Sequence, residues 1–312
     1  MSGRPKDLLV LLAVLAILVL TFGLATGRFL TAATFRTIAN QMPEAIIAAV
    51  GLTFVLVIAG IDLSVGSVLA LSSATLGVAL TRHGLPLPLA VLAALLVGAL
   101  CGGLNALLAV RWGVPSFIAT LGMLEMARGA TYLVTRSQTQ YLGERIEGIA
   151  SASILGLSIP FLAALGLVFA AELVLTRTVF GRYMVAIGTN EETLRLSGVD
   201  PRPVKLAVFV LSGLLAAVAG VVYTSRLASA DPNAGVGFEL GAIAAVVVGG
   251  TSLMGGRGSV VGSLLGVAII AVLGSGLAQA GAQEPTKRLV TGGVIIAAVL
   301  ADHYRRTRGE AA

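Results

Sequence analysis

The amino-acid sequence predicts an all-α, polytopic helical membrane protein, and three observations carry this prediction. The mean hydropathy is +0.97, only 12% of the 312 residues are charged, and apolar runs of about twenty residues, the length of one helical crossing, recur from end to end. A soluble domain of this length has too little interior to hide so much apolar surface. The alternating pattern of outer-membrane strands is absent, so helices are predicted to make the crossings.

About ten transmembrane helices are predicted within a single membrane domain, residues 1–312. In chain order they are Leu8–Thr26, Pro43–Gly60, Ser64–Leu80, Pro86–Val110, Val114–Val134, Ile154–Thr176, Lys205–Leu227, Phe238–Met254, Ser259–Ala280 and Arg288–His303. The joints between the second and third segments and between the eighth and ninth are short and rich in glycine. These joints predict short broken-helix segments, and the even number of crossings puts both termini on one side.

The distribution of basic residues predicts which side that is. Twelve of the 21 Lys and Arg residues fall on the side of the termini: Arg4, Lys6, Arg111, Arg177, Arg182, Arg195, Arg202, Lys205, Arg257, Arg305, Arg306 and Arg308. Five of them cluster between Arg177 and Lys205, and three lie in the tail "HYRRTR". Because cytoplasmic loops carry the excess of Lys and Arg, the termini and the loop 177–204 are predicted to be cytoplasmic. The net charge of +6 therefore reports topology, and no nucleic-acid partner is predicted.

The two glycine-rich joints resemble each other. "VLVIAGIDLSVGSVLALS" (55–72) and "AVVVGGTSLMGGRGSVVGSLLG" (245–266) each pass from an apolar run through a polar break into Gly-Ser and a new apolar run. Either parallel repeats or a biased composition explains the likeness. Non-helical backbone at membrane depth needs protein or water around it, and such breaks often adjoin solute pathways. Asp62 therefore has two open interpretations, a cap for the helix that begins near Ser64 or a pathway-lining carboxylate.

Other polar residues within the apolar segments are given structural interpretations first. Glu125 and Arg128 are three residues apart, so an ion pair on one helix face, or snorkelling to the interface, is favoured over contact with a solute. Asn105 is expected to hydrogen-bond between helices, and the small residues of "GALCGGLNA" are expected to pack helices closely. Cys101, the only cysteine, is expected to be a packing residue.

Several function classes are excluded by missing motifs. No GxxxxGK[ST] loop, HExxH or CxxC motif occurs, and no Ser–His–Asp set is plausible. Two distant histidines do not make a metal site. A membrane enzyme is thus disfavoured, and no catalytic residue, metal or cofactor is predicted for this chain. A transporter remains, driven either by a separate ATPase that binds ATP and Mg²⁺ or by an ion gradient.

The most polar stretch, "GTNEETLRLSGVDPRPVK" (188–205), predicts a short cytoplasmic helix. Asn190 is a favourable N-cap, the acidic residues after it suit the first turn, and Gly198 suits a left-handed stop. The prolines that follow prevent continuation into the next span. Leu194 and Leu196 cannot share one face, so one is expected to pack inward and the other to be available to a partner.

Four blocks in order resemble the permeases of bacterial sugar ABC transporters of the ribose, xylose and arabinose type. They are "GIDLSVGSVLALS", "GVPSFIATLGMLEMARG", "FGRYMVAIGTNEETLRLSGVDPRPVKLAVFVLSGLLAAVAG" and "ELGAIAAVVVGGTSLMGGRGSVVGSLLG". The resemblance implies a permease subunit of the inner membrane, working as a pair with a second permease copy or paralogue. It further implies a cytoplasmic ATPase and a periplasmic solute-binding protein as partners. Related permeases carry nucleosides or branched-chain amino acids, which stay as alternative substrates, and an ion-coupled carrier is the less favoured alternative.

The resemblance also assigns residues to two roles. Coupling to the ATPase is implied for Asn190, Glu191, Glu192, Leu194, Arg195, Leu196, Ser197 and Gly198. A place along the translocation pathway is expected for Asp62, Ser64, Asn105, Thr251 and Ser252.

Overall fold

The computed structural model describes residues 5–310, and this part of the chain is almost entirely helical. Its helices are α1 Pro5–Thr26, α2 Ala32–Asn40, α3 Pro43–Val57, α4 Val65–Thr81, α5 Leu87–Ala106, α6 Ser116–Thr135, α7 Glu144–Ser151, α8 Ile159–Arg177, α9 Val179–Leu196, α10 Arg202–Leu227, α11 Phe238–Val248, α12 Val260–Gln279 and α13 Glu284–Glu310. A π-helical turn, Leu107–Arg111, extends α5. Arg4, and the side chains of the tail arginines at 305, 306 and 308, lie outside the described part.

Two short strand pairs complete the secondary structure of residues 5–310. The strand β1 (Gln140–Tyr141) pairs antiparallel with β4 (Ser229–Ala230), and β2 (Ser153–Ile154) pairs antiparallel with β3 (Leu157–Ser158). The β1–β4 pair joins the loop after α6 to the loop after α10, although ninety residues separate them. The loop that the sequence placed between two spans is therefore tied to a second loop on the same side.

The prediction of a polytopic helical membrane protein is confirmed, because the structure contains several long apolar helices. Within residues 5–310, five helices are long and apolar enough to cross a membrane: α1, α5 with its π turn, α8, α10 and α12. The pair α2–α3, bent by 50°, makes a sixth if it is counted as one span. Each of the ten predicted segments contains a helix, but α4 and α11 are too short for a full span, and α6 and α13 are not among the helices that are both long and apolar enough within the described residues.

The eighth predicted segment needs a correction in its length. It was expected to run from Phe238 to Met254, whereas α11 ends at Val248 after 11 residues. A helix of this length is about 16 Å long, roughly half of the hydrocarbon thickness. The two glycines that follow, with Gly250 in the left-handed region at φ +90°, end the helix early and begin the second break.

The central element of the fold is α10, because it is flanked by helices on several sides. The helix α5 approaches it most closely: Gly98 and Gly102 lie directly against the backbone of Gly213 and Phe209. A side chain at either α5 position would overlap that backbone. The expectation that "GALCGGLNA" packs helices closely is therefore confirmed, and Cys101, in the same stretch, is buried.

Polar contacts fix the direction of the helices around α10. Buried Glu44 at the start of α3 accepts a hydrogen bond from Arg226 at the end of α10, so these two helices are antiparallel. The helix α4 runs parallel to α10, and the Oγ atoms of Thr224 and Ser73 lie 2.6 Å apart between them. Because α3 and α4 run in opposite directions along α10, the break between them forms the tip of a hairpin.

Candidate functional site

The first break centres on the carboxylate of Asp62, which is 1% exposed. Its Oδ1 accepts from the backbone N–H of Ser64 (2.9 Å) and from the Ser64 hydroxyl (2.6 Å). Its Oδ2 accepts from the hydroxyl of Ser212 on α10 (2.7 Å). The Asn105 amide on α5 donates to Ser64 Oγ at 3.0 Å. Asp62 thus satisfies the backbone N–H just before α4, as a capping residue does, while it also holds the break against α10.

The extended backbone on both sides of Asp62 is held by the beginning of α6. The N–H of Ile61 donates to Ser116 Oγ, and the N–H of Leu63 donates to Thr120 Oγ1, each at 3.1 Å. The Thr120 hydroxyl also reaches the carbonyl oxygen of Ile61 at 3.1 Å. Broken backbone at membrane depth must find such partners inside the protein. In this conformation the first break is therefore a filled joint and not an open passage.

The position of Ser212 along α10 shows how deep in the membrane the first break lies. Ser212 lies ten residues after Arg202 in the 26-residue α10, which is about 15 Å along the helix axis. Asp62, bound to Ser212, therefore lies not far from the middle of the longest apolar helix. Asn105 is 1% exposed, and its Oδ1 has no hydrogen-bond partner within residues 5–310.

The second break joins α11 to α12 and is also closed by hydrogen bonds of its own. Thr251 is fully buried and Ser252 is 8% exposed. The Ser252 Oγ accepts from the N–H of Met254 at 3.2 Å. The Oγ1 of Thr251 lies 3.5 Å from Ser263 Oγ, which is 2.7 Å from the Oγ1 of Thr53 on α3. Side-chain hydroxyls thus connect the second break to the helix that leads into the first.

Glu172 on α8 binds the beginning of α12, a role that sequence reasoning missed. Its Oε2 accepts from the N–H groups of Val260 (2.7 Å) and Val261 (3.2 Å). A carboxylate at a helix N-terminus complements the free N–H groups and the helix dipole. Nothing local in the sequence around Glu172 indicates that a helix 88 residues later would need it.

The two breaks contact each other, and the polar run contacts both. The N–H of Gly256 donates to the carbonyl oxygen of Val57 at 2.9 Å. Gly188 on α9 lies against these same two groups, so that a Cβ at position 188 would overlap both. The next residue, Thr189, lies against Gly256. One small contact therefore joins the end of α3, the second break and the entrance to the polar run.

The polar run itself forms the short helix that its sequence predicts. Asn190 interrupts α9 with extended backbone, φ −163° and ψ 97°, and its Oδ1 accepts from the N–H of Thr193 at 2.9 Å. The helical turns that follow end at Leu196, and Gly198 takes the left-handed conformation at φ +87°. The predicted cap and stop are thus present, although α9 already begins at Val179, which the sequence did not indicate.

The two leucines of this short helix separate as expected. Leu194 packs against the core, whereas Leu196 is 79% exposed. Glu191 forms an ion pair with Lys205 on α10 at 2.9 Å, and Glu192 pairs with Arg195 at 2.8 Å. The helix therefore has one face fixed to the protein and one uncovered face that carries a large apolar side chain.

Of the two favoured interpretations of Glu125 and Arg128, the ion pair is wrong, and snorkelling to the interface stays a prediction. Arg128 instead donates to the carbonyl oxygens of Pro232 (3.0 Å) and Ala234 (2.7 Å), and Glu125 is exposed. In the described part of the chain, no carboxylate oxygen lies within 4.0 Å of a guanidinium nitrogen of Arg128. The i, i+3 spacing allowed a pair, but a loop distant in sequence binds the guanidinium more closely.

Comparisons with known proteins agree on one family. Residues 34–299 match the family model described as the branched-chain amino acid transport system permease component. The chain is 41% identical to the ribose import permease protein of Haemophilus influenzae, over 94% of this chain and 92% of that protein. It is 36% identical to the fructose import permease protein of Rhizobium meliloti (95% and 85%) and 35% identical to the L-arabinose ABC transporter permease protein of Azospirillum brasilense (84% and 78%). No solved structure gives a significant match.

Substitution of Asp62 separates its hydrogen-bonding role from its charge. Asp62→Asn keeps an acceptor for Ser64, so the folded protein should lose less than about 1 kcal/mol, the usual net value of a hydrogen bond. Asp62→Ala leaves the buried N–H of Ser64 without a partner and should cost about 1–3 kcal/mol. Thermal unfolding of the purified protein in detergent measures both. Equal destabilisation by the two variants would contradict this capping role.

Proposed function

The chain belongs to the family of branched-chain amino acid transport system permease components, among its sugar-importing members, and from this membership we propose that it translocates a monosaccharide through the membrane. It is the membrane-spanning permease subunit of an ATP-driven importer and is not itself an enzyme. The observation that carries this function is the near full-length likeness to the ribose import permease. The substrate is a five- or six-carbon sugar, or a similar polyol, brought by a periplasmic solute-binding protein.

The cytoplasmic ATPase binds the short helix at Asn190–Gly198 in this proposal. The helix is made of a capped turn, and its uncovered side carries Leu196. An exposed leucine on a short charged helix gains most by burial in a protein cleft. Two turns of helix are marginal in water, and here the ion pair of Glu191 with Lys205 holds the helix to α10. The loop 177–204 thus contains a short helix that is fixed to the permease and can be bound by a partner.

The proposed coupling residues divide into two sets by what they contact. The anchoring set consists of Asn190, Glu191, Leu194 and Gly198, which form the cap, the ion pair to α10, the core contact and the stop. The docking set consists of Glu192, Arg195, Leu196 and Ser197, which are uncovered or paired only with each other.

Force from the ATPase passes to the two breaks through Gly188. Because this glycine lies against both Val57 and Gly256, displacement of the short helix must move or open the contact between the breaks. Asp62, Ser64, Asn105, Thr251 and Ser252 then belong to the translocation pathway as its joints. Each is buried in this conformation, so in our proposal they border the route when it opens and do not line it when it is closed.

The proposed topology has ten crossings, with both termini in the cytoplasm of a bacterial cell and the protein in the inner membrane. The short helix α11 completes its crossing together with the loop that precedes it. A second permease, identical or paralogous, stands beside this chain, and the periplasmic binding protein docks on the side of the β1–β4 pair. The positive residues of the loop 177–204 support this orientation.

Reconstituted uptake tests the function. Vesicles that contain the permease, its ATPase and its binding protein should accumulate radiolabelled ribose, fructose or arabinose when ATP is enclosed with the ATPase, and should do so when the proton gradient is collapsed. Competition with leucine or uridine tests the alternative substrates. Uptake that ignores ATP but stops with the proton gradient would show an ion-coupled carrier and sink the proposal.

Leu196→Asp tests the docking of the ATPase. A charge at the exposed tip should lower uptake and binding-protein-stimulated ATP hydrolysis by at least about tenfold, the effect of losing about 1.4 kcal/mol of contact energy. Copurification of the ATPase, which Leu196→Asp should also reduce, has Leu155→Asp as its matched control, since Leu155 is 87% exposed in the loop that carries β2 and β3, on the side away from the loop 177–204. Unchanged stimulation in Leu196→Asp, with normal membrane insertion, would refute this docking surface.

A further inference from the structure

The loop between α10 and α11 returns into the depth of the membrane. Ala230 lies beside Gly77 on α4, whereas Gly235 lies beside Gly66 on the same helix. Gly66 and Gly77 are eleven residues apart on α4, or about 16 Å along the axis of that helix. Since α4 begins at the Asp62 joint, the loop descends from the β1–β4 pair to the level of that joint. The half-length helix α11 begins where the loop ends.

Side chains of α6 hold this descending loop. The Arg128 guanidinium donates to the carbonyl oxygens of Pro232 and Ala234, and the Tyr132 hydroxyl donates to Asn233 Oδ1 at 3.0 Å. The loop also braces itself, because Asp231 Oδ1 accepts from the N–H of Asn233 at 2.9 Å. The loop is therefore a fixed element whose outward side chains have defined positions.

A polar face at mid-depth is left uncovered beside the loop. Glu125 is the tenth residue of the 20-residue α6, lies on the same helix face as Arg128 and Tyr132, and is exposed. Asn233 is exposed as well, and the half-buried carboxylate of Glu239 lies over Gly66. Within residues 5–310, neither Glu125 nor Glu239 has a basic group within 4.0 Å.

This face does not suit contact with lipid. Carboxylates at the middle of the membrane are costly in hydrocarbon and occur where they meet water, a partner charge or a solute. Gly122 and Gly129, one turn to either side of Glu125, border open space, so neither neighbour on this helix face covers the carboxylate. Carboxylates and an amide are also the groups that accept and donate hydrogen bonds to sugar hydroxyls.

We propose that Glu125, Asn233 and Glu239 form a solute-contacting wall of the translocation route, at the level between the descending loop and α6. This inference rests on the proposed function and assigns to it a site for a polyhydroxylated solute. Arg128 and Tyr132 are positioning residues, because they hold the loop and do not face the solute. The Asp62 joint adjoins this wall and borders the route when the joint opens, while the side chains of the wall are the ones that the solute contacts first.

Cysteine labelling tests the accessibility of the wall. In a Cys101→Ala background, which has no other thiol, Glu125→Cys and Asn233→Cys are exposed in the assembled transporter to a membrane-impermeant methanethiosulfonate. The matched control is Phe169→Cys, since Phe169 is 69% exposed at the middle of α8. Both wall positions should react at least about tenfold faster than the control, as a water-filled route requires. Reaction as slow as at the control means lipid or a dry contact with the second permease, and overturns the proposal.

Transport by Glu125→Gln and Glu239→Gln tests contact with the solute. Uptake of radiolabelled ribose should fall by about tenfold or more, the effect of one lost hydrogen bond to a charged group. Stimulation of ATP hydrolysis by the loaded binding protein should stay at the wild-type level, because the short helix at Asn190–Gly198 is unchanged. Wild-type uptake in both variants refutes the wall. Absence of ATP-driven uptake in the unsubstituted protein refutes the proposed function instead, and the labelling result still decides whether the wall meets water.

Discussion

The hydrogen bond from the Gly256 N–H to the Val57 carbonyl oxygen, at 2.9 Å, is the interaction on which the rest of the structure depends. Non-helical backbone inside a membrane must satisfy its polar groups within the protein. Here one helix break supplies the partner for the other, and both lie against Gly188 at the entrance to the short helix. The two breaks therefore cannot move independently, and the polar run cannot move without disturbing both.

This constraint gives the joints and the solute wall different properties. A joint must be closed and fully hydrogen-bonded, as Asp62 is with Ser64 and Ser212. A wall must present exposed polar atoms, as Glu125 and Asn233 do in the described part of the chain. Buried carboxylates in apolar spans are commonly taken as pathway residues, but in this chain burial favours the joint and exposure favours the route. The loop held by Arg128 contacts α4 next to the Asp62 joint on one side and α6 on the other.

Local chemistry made part of this architecture predictable. The cap at Asn190 and the stop at Gly198 depend only on neighbouring residues, so the sequence indicated both correctly, as it did the glycine-rich breaks. The partners of the breaks were not predictable, because Ser212 is 150 residues from Asp62 and Glu172 is 87 residues from Ser259. The descending loop was missed for the same reason. Its sequence is that of an ordinary surface loop, and only its contacts with α4 and α6 place it at depth.

The ratio of sugar imported to ATP hydrolysed by Gly188→Ala tests the central claim most directly. A methyl group at this position overlaps the Val57 carbonyl oxygen and the Gly256 amide, so it should separate the short helix from the breaks while the docking face remains intact. Gly166→Ala is the control, because a Cβ there meets open space. The account predicts that Gly188→Ala still assembles with the ATPase and hydrolyses ATP, but imports at least about tenfold less sugar per ATP, as loss of about 1.4 kcal/mol of coupling implies. A ratio equal to that of Gly166→Ala and of the unsubstituted protein would contradict it.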